Sequence, residues 1–193
     1  MGKIYYMMVK SSSGKDTLYK EVLKALPKLK TLVLYTTRPI REGEQEGIEY
    51  HFVTDEELER FEKAGKIIEE RTYDTVYGAW KYATIEDGQI NLAAYDYLVI
   101  GTLESYAGMK KCYGAENLVP IYIEVEDGER LSRALSRERQ QPKYEEMCWR
   151  VLADQKDFSE ENLEEAGIVR RYYNDDKVQC LEKIIGEIQN GKF

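Results

Sequence analysis

The chain has 193 residues, 42% hydrophobic and 33% charged, enough for one buried core with small insertions. Its 28 basic and 36 acidic side chains leave a net charge of −8, which excludes a general nucleic-acid binder with a basic footprint. His51 is the only histidine, so histidine-based triads and multi-histidine zinc sites are excluded, and no apolar run approaches the roughly 20 residues of a membrane span.

An apolar β-type run, Ile4–Val9, comes first; it is too short for a signal peptide and has no small-residue cleavage site behind it. After a Ser/Gly loop, Leu18, Val22 and Leu26 recur at i, i+4 and i+8, one stripe of a helix. Residues 31–35 read as a second strand. Thr54-Asp55-Glu56-Glu57 is a capping box that opens a short helix stopping near Gly65. Residues 69–77, Tyr97–Gly101 and residues 118–125 are further strand candidates. Residues 128–158 read as helical, broken around Gln140-Gln141-Pro142, and a last helix turns Val178, Leu181, Ile184, Ile185 and Ile188 inward. Strands alternating with helices imply βαβ units, so the expected class is α/β with a mostly parallel sheet flanked by helices. The acidic middle stretch reads as an insertion over that sheet's carboxyl edge. Cys112, Cys148 and Cys180, odd in number and far apart, suggest a reducing cytoplasm and no metal cluster, while Trp80 and Trp149 read as packing residues.

Charge is unevenly spread: residues 1–41 carry +7, residues 42–70 carry −8 and the remainder −7. A locally basic N-terminal fifth points to a small anionic ligand. Within it, Val9-Lys10-Ser11-Ser12-Ser13-Gly14-Lys15-Asp16-Thr17 stands between a strand and a helix, the setting of the phosphate-binding loop G-x-x-x-x-G-K-S/T. The backbone N–H groups from Ser11 through Ser12, Ser13 and Gly14 can line an anion nest, and Lys15 can neutralise transferring phosphate oxygens. Val9 replaces the first glycine with a residue that resists positive φ. Asp16 stands where a hydroxyl is usual, and reads either as a first-turn carboxylate or, with Thr17, as part of a magnesium shell.

The segment from Thr36 to Phe52 matches T-T-R-x-x-R-x-G-E-x-x-G-x-x-Y-x-F. Arg38 and Arg41, three apart, together with the Tyr50 hydroxyl can clamp a monophosphate through charge-assisted hydrogen bonds. This long pattern resembles the nucleotide-acceptor segment of guanylate kinases, and the resemblance extends over about residues 3–190. It implies a P-loop NTPase core over residues 1–35 and 91–193, an acceptor-binding insertion over 36–90 and a closing helical lid near 126–150. It also implies that Arg38, Arg41, Tyr50 and Tyr77 hold the acceptor phosphate, and that Glu69 reads the N1 and N2 hydrogens of guanine. Arg130, Arg133, Arg137, Arg139 and Arg150 would reach the donor's phosphates, and Asn174-Asp175-Asp176 would lie near the adenine of ATP. Lys15, Arg38, Arg137 and Arg150 would then be the catalytic set. The implied reaction is GMP and ATP to GDP and ADP, with Mg²⁺ accompanying ATP, in the cytoplasm and with no nucleic-acid or membrane partner.

The base-reading positions depart from the family. Leu34 replaces its serine, and Ala79 follows Tyr77-Gly78 where a serine or threonine often touches the base. The family's D-I-D-x-Q-G reads Gly101-Thr102-Leu103-Glu104-Ser105-Tyr106, so both aspartates are missing and Glu104 is the nearest replacement carboxylate. The phosphate half of the acceptor site is intact and the base half is revised, which should loosen or alter base choice. Two readings stand beside the kinase: a catalytically weak binding module related to it, and a kinase with a changed acceptor.

Overall fold

The computed structural model describes residues 2–75, 78–139, 143–191 and 193. The first half of the chain forms β1 (Ile4–Val9), α1 (Lys15–Ala25), β2 (Leu34–Thr36), β3 (Tyr50–Phe52), α2 (Asp55–Lys63), β4 (Ile67–Thr75) and β5 (Gly78–Ile85). The second half forms β6 (Tyr97–Gly101), α3 (Leu103–Tyr113), β7 (Leu118–Glu124), α4 (Asp127–Glu138), α5 (Tyr144–Asp157), α6 (Glu160–Glu165), β8 (Arg171–Tyr173) and α7 (Lys177–Asn190).

The core sheet runs β6-β1-β7-β8 and every pairing in it is parallel. A central parallel strand is covered on both faces, which is why β1 is a continuous apolar run buried at all six positions rather than an alternating one. Side chains still alternate between the faces. Tyr6, Met8, Val99 and Tyr122 meet Leu103, Tyr106 and Met109 of α3, with Phe158 and Leu163. Tyr5, Met7, Leu98 and Ile121 meet Leu18 and Val22 of α1 and Cys180 and Ile184 of α7. Each such apolar side chain contributes about 1.5–3 kcal/mol on burial.

A second sheet, ordered β3-β2-β5-β4, is antiparallel except for β2 beside β3. One face is covered by α2, with Tyr35, Leu58, Ala83 and Ile85 at its centre. The capping box forms as expected: Thr54 accepts from the Glu57 N–H while the Glu57 carboxylate takes the Thr54 N–H. The insertion docks through β4 on α3. At Gly108 a Cβ would stand 3.0 Å from the Ile68 carbonyl oxygen and 3.2 Å from the Glu69 Cβ, so glycine permits the close approach.

Several expectations shift. Within residues 31–35, only Leu34 and Tyr35 enter a strand, and it belongs to the second sheet; Val33 is held instead by the Gln89 side chain, and Lys30 makes an isolated bridge to Tyr97. The strand expected over 69–77 is found at Ile67–Thr75; Val76 and Tyr77 lie outside the described residues, as do 140–142. Val178 is 58% exposed because the inward stripe of α7 starts at Cys180, one turn past the cap that Asp176 forms. Trp149 is 67% exposed and does not pack. Among the described residues, no helix is long and apolar enough to cross a membrane.

Candidate functional site

The loop after β1 makes its left-handed turns at Ser12 (φ 65°) and Gly14 (φ 85°). Val9 stays in the ladder opposite Ile123 and is buried, so the missing first glycine asks nothing unusual of its backbone. Gly14 is constrained further: a Cβ there would lie 3.0 Å from Asn174 Nδ2. Asn174 follows β8 and reaches across the sheet edge, its Nδ2 donating to the Ser13 carbonyl at 2.8 Å. Lys15 is half exposed, with Asp16 the nearest acid at 3.9 Å, and Asp16 and Thr17 are exposed on the first turn of α1. Beside them a cavity of about 230 Å³ is lined by Gly14, Thr17, Arg133, Asn174, Asp175 and Lys177. Ser13 Oγ and Asn174 Oδ1 are buried without a hydrogen-bond partner among the described residues.

The arginines of α4 and α5 divide into two groups. Arg130, expected to face the donor's phosphates, is instead buried at 1% exposure. Its guanidinium donates to the Ser11 carbonyl at 3.0 Å, to Asp154 at 3.1 Å and to Asp127 at 2.8 Å, while Asp154 also accepts the Ser11 N–H at 2.8 Å. Arg130 therefore fastens α4 and α5 to the loop. Arg137 reaches the loop from the far end of α4, its Nη2 donating to Ser12 Oγ at 3.1 Å. Glu138, buried, lies 3.9 Å from the Arg137 Nε and accepts from Arg150 Nη2 at 3.4 Å, so it gathers both arginines. Arg133 is paired with Glu129 at 2.9 Å, and Arg139 is exposed at the end of α4.

On the open face of the second sheet, Arg38 is 4% exposed and bidentate to Glu44, at 2.6 and 2.7 Å. The guanidinium stacks over the rings of Tyr50 at 5.0 Å and Phe52 at 5.3 Å. Glu44 also accepts the Arg41 backbone N–H at 2.8 Å, which leaves the Arg41 side chain in solvent. The Arg38 hydrogen bonds hold the Glu44 carboxyl down to a pKa of about 2. Rings continue the face, Tyr50 to Tyr82 and Tyr82 to Tyr73, each pair 5.6 Å apart. Tyr77 lies outside the described residues.

Further along the same face, Glu69 is buried and accepts from Arg71 Nε at 3.0 Å, Arg71 Nη2 at 3.4 Å and Thr84 Oγ1 at 2.8 Å. Arg71 Nη1 reaches Thr102 at 3.3 Å, where β6 gives way to α3. Burial, the largest single influence, pulls the Arg71 pKa down, but the charge and hydrogen bond of Glu69 together with Tyr73 and Tyr6 outweigh it and the net direction is up. Gly101 has no room for a side chain: a Cβ would come 2.1 Å from the Tyr6 hydroxyl and 2.6 Å from Ser105 Oγ, two groups bonded to each other. Leu103 is buried in the core. Glu104 is exposed and borders a cavity of about 900 Å³ that Arg71, Tyr73 and Thr102 also line.

The guanylate kinase family model matches residues 1–187. The chain belongs to the guanylate kinase family. It is 39% identical over 122 residues to the guanylate kinase of Neisseria gonorrhoeae, a match covering 63% of this chain and 58% of that one. To the guanylate kinase of Coxiella burnetii it is 31% identical over 98 residues, 49% of this chain and 48% of that one. The chain thus spans about half the length of the curated relatives it matches, 58% and 46% for the first two. The crystal structure of guanylate kinase from Anaplasma phagocytophilum matches all of this chain and 87% of its own, with a TM-score of 0.67 at 21% identity, a likeness of fold.

Against that family, the structure brings together most of what the sequence singled out. Ser11, Ser12, Ser13, Gly14 and Lys15 form one loop, with Arg133 and Asn174 at its far side and Arg137 above it. Arg38 and Tyr50 stack, and Glu104 faces the same cavity as Arg71. Sequence reasoning missed Glu44, Arg71, Thr84, Glu138 and Asp154. Glu44 stands inside the matched segment, and Arg71 follows Glu69 at the two-residue period of a strand, so both left a signal. Glu138 and Asp154 left none, because their partners are distant in the chain or lie across a helix break.

Proposed function

We propose that the protein transfers the γ-phosphoryl group of ATP to a nucleoside monophosphate, with GMP as acceptor. The observation that carries this reading is an anion nest ending in the half-exposed Lys15, with a lid arginine, Arg137, touching the same loop at Ser12. Family membership supports it.

An oxygen of the acceptor phosphate attacks the γ-phosphorus, the bond to the β–γ bridging oxygen breaks, and ADP and the nucleoside diphosphate result. The attacking phosphate oxygen is already ionised near neutral pH, so no general base and no covalent intermediate are needed. Lys15, Arg137 and Arg150 offset charge on the transferring group. Arg38, Arg41 and Tyr50 hold the acceptor phosphate in line, where position alone supplies much of the rate. Asn174 and Arg133 border the place of the adenine. Closure of the α4–α5 lid would exclude water and with it idle ATP hydrolysis.

Mg²⁺ fits this loop as a partner of the nucleotide. Among the described residues no group of three acidic, histidine or cysteine side chains could cage a metal, whereas Asp16 offers one exposed carboxylate beside the Thr17 hydroxyl. One or two protein ligands plus substrate phosphates suit this ion, and when bound it neutralises phosphate charge. The free thiols Cys112, Cys148 and Cys180 support a reducing, cytoplasmic setting.

The test is a coupled ADP-release assay over a panel of nucleoside monophosphates, with and without Mg²⁺. Turnover of GMP that requires Mg²⁺ is expected. Silence across the whole panel would leave the chain a binding module.

A further inference from the structure

The base half of the cleft has lost polar groups and gained an arginine. Leu34 and Ala79 bring no hydrogen-bonding side chain, Gly101 has no room for one, and Leu103 is turned into the core. Glu69 remains, but Arg71 and Thr84 occupy three of the roughly four acceptor positions of its carboxylate, and Arg71 cancels its charge. What this end of the cleft offers a ligand is Arg71 itself. Its side chain is 16% exposed, and among the described residues three of its five N–H donors are engaged, by Glu69 and Thr102. Arg71 lines the 900 Å³ cavity together with Tyr73, Thr102 and Glu104. Glu69 fixes the guanidinium plane, so the donors are pre-aimed.

We propose that Arg71 reads the acceptor base, and that the site selects a 6-oxopurine 5′-monophosphate by its O6 and N7 edge, with little regard for the 2-amino group. This rests on the kinase reading above and deepens it. A guanidinium fork matches the two acceptors O6 and N7. A 6-amino group turns N–H donors toward the fork and leaves the two remaining donors of a mostly buried guanidinium without acceptors, which is how hydrogen-bonding sites reject analogues. The 2-amino group, by contrast, meets no buried carboxylate with acceptors to spare among the described residues: Glu69 is occupied, neither Gly101 nor Leu103 supplies another, and Glu104 on the cavity rim is exposed to solvent. GMP and IMP are then near-equivalent acceptors.

The experiment measures kcat/KM by ADP release for GMP, IMP, AMP and 2-aminopurine riboside 5′-monophosphate, which keeps the 2-amino group and lacks O6. The wild type is compared with Arg71→Lys and Arg71→Met, each checked for folding by circular dichroism. The wild type should use GMP and IMP within about 10-fold of each other and reject the two analogues lacking O6 by about 100-fold or more. Arg71→Lys keeps a counter-charge for Glu69 but loses the fork, and its selection for O6 should fall to about 10-fold. Arg71→Met should lose that selection, through a fall in GMP and IMP turnover rather than a gain with the analogues. If Arg71→Met fails to fold, Arg71→Lys carries the test alone. A GMP preference over IMP above about 10-fold in the wild type, or unchanged O6 selection in a folded variant, overturns the assignment to Arg71. Absence of any monophosphate turnover by the wild type overturns the kinase reading itself, so the two failures are distinct.

Discussion

Arg38 and Arg71 border the same open face of the second sheet, and each is paired with a glutamate, yet the two pairs are built differently. Arg38 takes its partner from six residues away in the same loop, at 2.6 and 2.7 Å, and is stacked on aromatic rings. Arg71 takes its partner from two residues along its own strand, at 3.0 and 3.4 Å, and completes its contacts on Thr102 of another element. A phosphate is the same on every acceptor, so one loop can encode its clamp. A base differs from acceptor to acceptor, and the reader proposed above is assembled where the second sheet meets the core sheet's α3 end. The first device can persist unchanged while the second is rebuilt.

Breaking the phosphate half should therefore cost rate without moving base choice. Lys15→Ala and Arg38→Ala are expected to lower kcat/KM by about 10²–10³ for GMP and IMP alike, with the ratio of the two unchanged and the circular dichroism spectrum retained. Glu44→Gln should cost about 10-fold, chiefly in KM, because it loosens Arg38 rather than removing it. The same variant has a pH signature. Glu44 titrates at about 2 in the fold against an ordinary 4.5, so its contribution to stability is complete above pH 4.5 and is lost as pH falls toward 2. Urea midpoints for Glu44→Gln should then fall less steeply than the wild type's across that interval.

Smaller effects sharpen the contrast from the stability side. Val9→Gly is expected to lose about 2 kcal/mol in urea melts and to gain no turnover, since Val9 is a buried strand residue rather than a turn residue. Higher activity in that variant would show that the valine hampers the loop. Thr84→Val removes a donor from the buried Glu69 and should cost about 1–2 kcal/mol, read as a urea midpoint.

The core was legible where residues are buried on both faces. The apolar runs at β1, β6 and β7 admit little but a parallel sheet, and the phosphate loop and the Arg38 segment are contiguous patterns. Legibility ended where a polar group is satisfied by one far away in the chain. Asp154 bonds the Ser11 N–H across 143 positions, and nothing near either residue announces it. The helix stripes were readable in kind but not in register, as Val178 shows: several apolar positions fit one face, and only the neighbouring sheet decides which turn goes under. Trp149 misled because α5 buries only Met147 among its described residues, so an aromatic on that helix has nothing to pack against. Arg71 shares a strand face with Glu69, but its other partner, Thr102, stands 31 positions away in the chain.

The knot of Arg130, Asp154 and the Ser11 backbone pins one end of both lid helices to the phosphate loop. The lid closure proposed above would then be that of a lever rather than a flap, with the fulcrum at Arg130. Arg137 sits seven residues along the arm, about 10 Å at 1.5 Å per residue, so a tilt of about 20° carries it some ~3.5 Å, enough to leave Ser12. Amide hydrogen exchange should accordingly find Ser11 protected with and without ATP, and free exchange at Ser11 in either state would place the pivot elsewhere.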